Sequence, residues 1–382
     1  MGKAVVYSAT GTGIPKPEAA CLAPASAGVP SDPSRNWEGF PVRTGVVIDS
    51  ACDLPQSYLQ QHNIHIMPIS LHFGYDTFKD VRDPDATQAF YRRYLSEKTL
   101  DAETAPFSVE QIKQLFLDEL VLKYDRVLVI TISHARSQIF ANASEASFAI
   151  LKQYREKRQQ AGLNSPFYLT VLDSQTLFTG EGVLVHEAVR LLEGHNLAIG
   201  ALRTVIEQLS QQVHAYLIPE DLFYLRYRGS KKGEKTIGLF GYHFGSLLDI
   251  KPVIGFHRGE SAVVHKDRGF DRALTKLLEL AQQAIAAGLA TPVINMSYAG
   301  NPEVVRRKRI FTDFERYAQA HGVELMLSVM STTAGINVGP GAFALAYIAG
   351  PPVALPAAAT VSGNGREASL ATIDDSPTDW SI

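Results

Sequence analysis

Cysteine is almost absent from this chain of 382 residues, which has only Cys21 and Cys52. Two cysteines by themselves form neither a disulfide framework nor a zinc site. Such a low cysteine content is typical of proteins in a reducing compartment.

Long apolar runs and a strong excess of one charge are also missing. No stretch approaches the roughly 20 apolar residues that span a bilayer, and the first residues lack the basic and apolar regions of a signal peptide. The net charge of −3 gives no electrostatic reason to expect nucleic acid or an anionic membrane as a partner. We therefore expect a cytoplasmic protein.

Regular hydrophobic patterning is absent from both ends of the chain. Residues 1–42 and 351–382 are rich in Gly, Pro, Ala and Ser, or acidic and polar, and show no helical or strand period. We predict a flexible leader at one end and a flexible tail at the other.

Residues 43–200 alternate between strand-like and helix-like segments. The predicted strands are Thr44–Ile48, Ile64–Ser70, Arg126–Ile132 and Phe167–Leu172. The predicted helices are Leu54–His62, Asp85–Leu95, one that Ser108 opens with a capping box to Gln111, Phe140–Gln159 and Glu181–Glu193. The unbroken apolar run in Arg126–Ile132 is typical of a strand buried on both faces. This alternation predicts an N-terminal α/β domain built on a parallel sheet.

Residues 201–350 have shorter and less apolar strands between longer helices. Here the predicted helices are Ala198–Gln212, Phe270–Ala287 and Pro302–His321, and the predicted strands are His214–Ile218, Lys251–Phe256, Ala262–His265, Thr291–Asn295, Glu324–Val329 and one after Gly341. This order predicts a C-terminal α+β domain with a mixed sheet, and we place the domain boundary near residues 195–205. The predicted fold class is therefore α/β with two domains.

Four polar loop clusters lie where predicted strands end or capped helices begin. They are residues 49–55, 104–108, 133–137 and 173–176. In open α/β sheets, ligands bind beyond the carboxyl ends of the strands. Hydroxyl side chains and helix N-termini converge there, and both suit a carboxylate or a phosphate. Taken singly, each cluster also fits an ordinary helix cap or turn.

Several motifs occur in the order in which one protein family carries them. They are Asp49-Ser50-x-x-Asp53-Leu54-Pro55, Met67-Pro68-Ile69-Ser70, Thr104 to Ser108, Ile132-Ser133 to Ser137, Asp173-Ser174 with Gly180-x-Gly182, and Gly245-Ser246-Leu247-Leu248-Asp249-Ile250-Lys251-Pro252. This series, which covers roughly residues 44–350, resembles the DegV family of bacterial fatty-acid-binding proteins. The last string is its most specific part.

The resemblance implies a ligand tunnel between the two domains. A long-chain fatty acid would lie in it, with its carboxylate in the loops of the N-terminal domain and its tail among apolar side chains. Thr104 and Ser137 match the hydroxyl residues that hold the carboxylate. Family members present that carboxylate to a separate kinase subunit, related to dihydroxyacetone kinases, and Arg268 matches a basic position for kinase docking. The resemblance implies no cofactor and no catalytic residue.

The sequence departs from the family pattern at the expected head-group site. The family's Ser-Gly-Thr is Ser137-Gln138-Ile139 here, which adds bulk and removes a hydroxyl group. Asn337 stands where the family has His, and an amide cannot carry a proton charge. We expect Thr104, Ser137, Gln138, Ile139 and Asn337 to form the binding set, with the two amides as a neutral cradle.

Two other functions fit the same residues. Asp49, Asp53 and Asp173 could bind Mg²⁺ in a phosphotransferase. Alternatively, the chain could be a regulatory module that binds a lipid as a signal, without a kinase. The raw material for a different metal site is His62, His65, His243, His257 and His265, but no His-x₃-His pattern with a nearby carboxylate occurs. We expect no metal.

Overall fold

The computed structural model describes residues 42–73, 76–95, 102–195, 197–225 and 249–353. The predicted leader and tail lie outside these ranges, except for residue 42 and residues 351–353. Residues 245–248 of the most specific family string also lie outside them. Within the described ranges, no helix is both long and apolar enough to cross a bilayer.

The N-terminal half is built on a four-stranded sheet in which every pairing is parallel. Its strands are β1 (Thr44–Asp49), β2 (His65–Met67), β6 (Arg126–Thr131) and β7 (Tyr168–Asp173), in the order β2-β1-β6-β7. Residues 127–130 of β6 are fully buried. The predicted parallel sheet, with a central strand buried on both faces, is confirmed.

A second, antiparallel sheet of three strands was not predicted. It consists of β3 (Ile69–Phe73), β4 (Asp76–Asp80) and β5 (Ala102–Ala105), in the order β4-β3-β5. The prediction of one strand over Ile64–Ser70 is wrong, because Pro68 divides it between two sheets. Proline lacks the N–H that a continuous ladder requires.

The C-terminal half contains a six-stranded mixed sheet, as predicted. Its strands are β8 (Val213–Ile218), β9 (Ile250–His257), β10 (Glu260–Arg268), β11 (Val293–Tyr298), β12 (Glu324–Val329) and β13 (Phe343–Ile348), in the order β10-β9-β8-β13-β11-β12. The β11–β12 pairing is parallel, and the other pairings in this sheet are antiparallel.

The helices follow the predicted alternation with three differences. The first seven are α1 (Gln56–Gln61), α2 (Pro84–Phe90), α3 (Val109–Leu115), α4 (Ile139–Ala149), α5 (Tyr154–Gln160), α6 (Thr179–Gly194) and α7 (Ile199–Ser210), and π-helical turns at Tyr91–Leu95 and Phe116–Leu120 continue α2 and α3. The later ones are α8 (Phe270–Ala287), α9 (Glu303–Arg306), α10 (Arg309–Ala320) and α11 (Thr332–Val338). The capping box between Ser108 and Gln111 is confirmed.

Two predicted helices are each divided, and α11 was not predicted. The helix predicted over Phe140–Gln159 breaks after α4, where the N–H groups of Leu151 and Gln153 bond to carbonyls three residues earlier instead of four. The helix predicted over Pro302–His321 breaks where Lys308 takes an extended conformation and its ammonium pairs with Asp271 at 2.7 Å.

The parallel sheet and the mixed sheet share a hydrophobic core. One cluster of buried side chains combines Ile48 and Ile130 from the first with Ala215 and Ile348 from the second. The predicted domain limits, 43–200 and 201–350, stay a prediction.

Candidate functional site

A cavity of about 340 Å³ lies beyond the carboxyl ends of the parallel strands. The N-terminal half lines it with Ala51, Ile69, Thr104, Pro106, Ile132, His134, Ala135, Arg136, Ser137, Gln138, Leu177 and Phe178. The C-terminal half lines it with Leu217, Leu225, Phe256, Thr333, Asn337 and Val338. The cavity therefore occupies the edge where open α/β sheets bind ligands, and both halves of the chain form its walls.

Four of the five predicted binding residues border this cavity. Thr104 lies on β5, Ser137 and Gln138 lie in the turn before α4, and Asn337 lies on α11. The structure thus brings together residues that are far apart in the sequence. Ile139 differs, because its fully buried side chain packs in the core and is not among those that line the cavity.

The turn between β6 and α4 forms one wall of the cavity through short-range hydrogen bonds. The Arg136 N–H donates to the Ser133 carbonyl at 2.9 Å, and the Ile139 N–H donates to Ser137 Oγ at 3.2 Å. Gln138 precedes the first turn of α4 and makes no side-chain capping bond within the described residues. The first turn of a helix has N–H groups without helical partners. Here that turn begins beside the cavity, where it favours an anion.

Asn337 reaches the cavity from α11, the helix that was not predicted. Its Nδ2 donates to the Thr333 carbonyl at 2.7 Å, within the same helix. This bond fixes the direction of the amide. Thr333, which also lines the cavity, is tied to Asp80, because its N–H and its hydroxyl donate to Asp80 Oδ2 at 2.8 and 2.9 Å. The hydrogen bonds of α11 thus hold a polar wall in place.

Two further polar side chains of the loop 133–137, those of His134 and Arg136, also line the cavity. His134 donates its backbone N–H to Asp173 Oδ1 at 3.2 Å, and its Nδ1 lies 2.5 Å from Asp173 Oδ2. Arg136 donates through Nη2 to Ser261 Oγ on β10 at 3.2 Å. Their position directly after the buried strand β6 is the sequence feature from which both could have been recognised as site residues.

Asp49 does not face the cavity. It is fully buried, and its two carboxylate oxygens accept the N–H groups of Ala51 at 2.9 Å and Ile132 at 2.8 Å. Burial raises the pKa of Asp49 to about 6, against the lowering effect of these two hydrogen bonds. Asp49 therefore braces the loops that follow β1 and β6, which is the ordinary role of a loop aspartate.

Asp53 connects the two halves of the chain. Its carboxylate accepts the Ser297 hydroxyl at 2.6 Å and the Ser331 N–H at 2.8 Å, and Arg82 Nη1 lies 3.3 Å from it. Burial raises the pKa of Asp53, and the Arg82 guanidinium opposes that shift. A Cβ atom on Gly182 would lie 2.5 Å from the Asp53 carbonyl oxygen, so only glycine allows α6 to pass this loop.

These acids belong to a set that we call the buried acidic network. Its members are Asp49, Asp53, Asp80, Arg82 and Glu181, all of them buried. Burial and the negative charges of Asp49 and Asp53 raise the pKa of Glu181 well above its usual range. Three of its members, Asp53, Asp80 and Arg82, bond residues of the C-terminal half and so link the two halves.

The alternative in which Asp49, Asp53 and Asp173 together bind Mg²⁺ gains no support from the described residues, because the three carboxylates have separate partners. The part of the chain that the structure describes contains no group of three His, Cys, Asp or Glu side chains suited to a metal. His62 pairs with Glu193 at 2.6 Å, His65 Nε2 bonds the Tyr124 hydroxyl at 2.9 Å, and His257 Nδ1 lies 2.8 Å from the Val213 carbonyl. His265 lies 3.5 Å from Asp267, and His243 is outside the described residues.

Comparison with known sequences connects this arrangement to a family. A sequence model described as "Uncharacterised protein, DegV family" matches residues 43–350. The chain therefore belongs to the DegV family. A DegV domain-containing protein of Xanthomonas axonopodis pv. citri (strain 306) is 45% identical over 311 residues, which cover 81% of this chain and 98% of that protein. Protein DegV of Bacillus subtilis (strain 168) is 24% identical over 79% of this chain and 98% of that protein.

Solved DegV structures share the fold. DegV from Bacillus subtilis, described as a fatty acid binding protein, superposes with a TM-score of 0.63 at 21% identity and covers 81% of this chain and 100% of that one. A stearic acid-binding protein from Eubacterium ventriosum superposes with a TM-score of 0.65 at 21% identity and covers 80% and 98% of the two chains. The predicted DegV resemblance and fold class are thus confirmed.

Proposed function

We propose that this DegV protein is a carrier and not an enzyme, and that its cavity holds a long-chain fatty acid. The carboxylate lies near Thr104, Ser137, Gln138 and Asn337, and the acyl tail packs against the apolar wall. Ile139 supports the head-group turn from the core and does not contact the lipid.

The composition of the cavity wall is the observation that carries this proposal. Hydroxyl and amide side chains come from β5, the turn before α4 and α11, whereas apolar side chains such as Leu177, Phe178, Leu217 and Phe256 come from other segments. A carboxylate in a partly enclosed site needs several hydrogen-bond donors. An acyl chain gains about 0.8 kcal/mol for each CH₂ group that it buries. The volume of about 340 Å³ lies within the roughly 300–1,000 Å³ of ligand pockets.

The solved relatives support the choice of ligand class. The Bacillus subtilis structure is described as a fatty acid binding protein, and the Eubacterium ventriosum protein as one that binds stearic acid. This chain has the same fold and a cavity with both polar and apolar walls. A long-chain fatty acid is therefore the ligand to test first.

We further propose that the loaded protein presents the carboxylate to a partner kinase of the dihydroxyacetone kinase type, which converts it to an acyl-phosphate. Arg268, at the end of the edge strand β10, is exposed and thus accessible to such a partner. We also propose that the carrier acts in the cytoplasm, where such a kinase would obtain ATP.

Lipid analysis of the purified protein tests the carrier function. The protein is extracted with organic solvent, the extract is analysed by mass spectrometry, and the delipidated protein is titrated with radiolabelled palmitate. We expect close to one fatty acid per chain and saturable rebinding. If the protein contains no lipid and also fails to bind added palmitate, the proposal is wrong.

A second assay separates the carrier from the regulatory module. The lipid-loaded protein is incubated with the kinase and Mg-ATP, and hydroxylamine traps any acyl-phosphate as a hydroxamate. Hydroxamate that depends on the carrier, and that decreases in Arg268→Gln, is the result expected for kinase coupling. Tight lipid binding without any hydroxamate would favour the lipid-responsive regulatory module.

A further inference from the structure

His134 lies in the cavity wall as one half of a histidine–aspartate pair. Its Nδ1 lies 2.5 Å from Asp173 Oδ2, and its backbone N–H donates to Asp173 Oδ1 at 3.2 Å. Asp173 Oδ1 also accepts the Gln175 N–H at 2.9 Å, and the side chain of Asp173 is only 13% exposed. The loop that follows β7 thus holds the carboxylate, and the carboxylate fixes the direction of the imidazole ring.

This pair determines what the second ring nitrogen can do. An ionised carboxylate accepts hydrogen bonds and cannot donate them, so Nδ1 of His134 carries the hydrogen atom. In the neutral imidazole, Nε2 is then an acceptor that can take up a proton. Among the residues that the structure describes, Nε2 has no hydrogen-bond partner, and the side chain is 67% exposed at the cavity. Nε2 is therefore accessible to a ligand.

The proposed head-group residues do not change their charge near neutral pH. Thr104, Ser137, Gln138 and Asn337 carry hydroxyl or amide groups, which stay neutral. The described residues that line the cavity include no aspartate or glutamate. An imidazole exchanges its proton near neutral pH. His134 is therefore the residue of this wall that can adjust its charge to that of a ligand.

Charged groups around the pair act in both directions. They are Arg136 in the same turn, Glu181 on α6, and His257, Arg258 and Glu260 beside the turn between β9 and β10, which packs on the loop after β7. On α4, the ring of Phe140 lies 6.5 Å from that of His134 and carries no charge. Coulomb energy falls with distance, and Asp173 is in direct contact. Its charge therefore favours the imidazolium form.

We propose that the binding of a fatty carboxylate is coupled to proton uptake at Nε2 of His134, so that an imidazolium held by Asp173 pairs with the head group. The proton comes from solvent when the ligand binds as a carboxylate, and from the ligand's carboxyl group when it binds as the acid. No other covalent bond changes. This inference rests on the proposed function, and it assigns to His134 the proton-bearing role that the Asn337 amide cannot fill.

The experiment compares a charged and an uncharged ligand at several pH values. Delipidated protein is titrated with radiolabelled palmitate and, separately, with radiolabelled hexadecanol between about pH 6 and 9. The proteins are the wild type, His134→Gln and His321→Gln. His321 is the matched control, because it is exposed at the end of α10 and its Nδ1 contacts the Tyr317 carbonyl, outside the cavity. Thermal unfolding checks that each variant is folded.

Nuclear magnetic resonance of protein with nitrogen-15-labelled histidine adds a direct measurement of the imidazole. Spectra of the delipidated and the palmitate-loaded wild type are compared at neutral pH, and the spectrum of His134→Gln identifies the signals of His134. The nitrogen shifts distinguish neutral imidazole from imidazolium. We expect palmitate to move the His134 signals towards the imidazolium form.

The expected result in the titrations is a loss of palmitate affinity of about fivefold to tenfold in total as the pH rises from about 6 to 9. The reason is that the imidazolium that pairs with the carboxylate is lost as the pH rises. His134→Gln should change less than about twofold over this interval. His321→Gln should follow the wild type. Hexadecanol has no charge to balance, so its affinity should depend little on pH.

The failures of this inference and of the proposed function have different signatures. Palmitate affinity that does not depend on pH, or that depends on it equally in the wild type and in His134→Gln, would overturn proton coupling at His134. His134 signals that palmitate leaves unchanged would overturn it as well. A wild type that binds neither ligand at any pH would instead refute the proposed function.

Discussion

The cavity and the buried acidic network arise from the same kind of sequence, yet their environments are opposite. Both are formed by polar loops that follow buried strands. The Asp53 side chain is fully buried and bonded to Ser297 and Ser331, whereas the side chain of His134 is 67% exposed. Loops of one composition thus serve the fold at one place and remain open to a ligand at the other. At Asp53 the C-terminal half packs directly onto the loop and supplies Ser297 and Ser331 as partners, whereas the loop that carries His134 borders the cavity.

From this difference we predict that substitutions in the buried acidic network lower the free energy of unfolding, whereas substitutions in the cavity wall lower the affinity for the lipid. In the network, every charge is removed from water, and its cost depends on its partners. In the cavity wall, side chains keep access to solvent or ligand. Variants that separate the two effects therefore test the account.

The largest expected effect is that of Arg82→Met. Arg82 is buried, donates to the Leu54 and Val329 carbonyls at 3.3 and 3.1 Å, and lies 3.3 Å from Asp53. Removing it leaves the Asp53 carboxylate buried without a counter-charge, which should lower the free energy of unfolding by about 3–5 kcal/mol. Urea unfolding followed by circular dichroism measures this loss.

The control for Arg82→Met is Arg92→Met, because Arg92 is exposed in the π-helical turn that follows α2. It should change the free energy of unfolding by less than about 0.5 kcal/mol. Palmitate affinity of folded Arg82→Met should equal that of the wild type. A stable Arg82→Met that binds palmitate poorly would show that the network belongs to the binding site.

The second effect is the pH dependence that Glu181 imposes on stability. Because the pKa of Glu181 is raised above that of the unfolded chain, the folded state keeps a proton that the unfolded state releases. The stability of the wild type should therefore fall as the pH rises from about 4.5, by up to about 1.4 kcal/mol per pH unit. The pKa of Asp49 is raised to about 6, so Asp49 adds a further loss of stability as the pH rises from about 4 to 6.

The variant Glu181→Gln removes one of these titrations. Its stability relative to the wild type should improve with increasing pH, because glutamine has no proton to lose. Urea unfolding at several pH values measures the difference, and Glu260→Gln on the exposed face of β10 is the control. Parallel pH profiles for wild type and Glu181→Gln would contradict the buried, protonated state of Glu181.

Sequence patterns predicted the framework better than the cavity. The apolar run in β6 and the capping box at Ser108 are local signals, and both are confirmed. Thr104 was predicted as a binding residue, but the strand β5 that carries it was not predicted. Its four residues, Ala-Glu-Thr-Ala, show no strand-like alternation of apolar and polar side chains. Thr104 pairs with Leu71 on β3, the strand that begins after Pro68.

The part of the cavity wall that α11 forms depends on tertiary packing alone. Helix α11 combines β-branched residues with Gly335, a composition that disfavours helices. Packing overrides it, because Gly335 lies against Tyr91 and the Tyr91 hydroxyl donates to the Met330 and Ser331 carbonyls at 2.7 and 2.9 Å. Sequence alone also could not show which polar loops become covered, and so Asp49 and Asp53 were assigned to a possible ligand site.

The smallest expected effect is that of Thr104→Val in the cavity wall. The replacement keeps the shape of the side chain and removes its hydroxyl group, which should weaken palmitate binding about fivefold, or by about 1 kcal/mol. The free energy of unfolding should remain within about 0.5 kcal/mol of the wild type. Thr204→Val on α7, where the hydroxyl bonds the Gly200 carbonyl, is the control and should leave affinity unchanged. Equal affinities for Thr104→Val and wild type would remove Thr104 from the head-group site.

A crystal structure of the protein loaded with palmitate tests the central claim most directly. We predict that the carboxylate lies within hydrogen-bond distance of Thr104, Ser137, Gln138 or Asn337, and that the acyl chain lies against Phe178, Leu217 and Phe256. The buried acidic network should be unchanged by the ligand. Electron density for the lipid outside this cavity, or a lipid whose carboxylate lies away from the turn before α4, would contradict it.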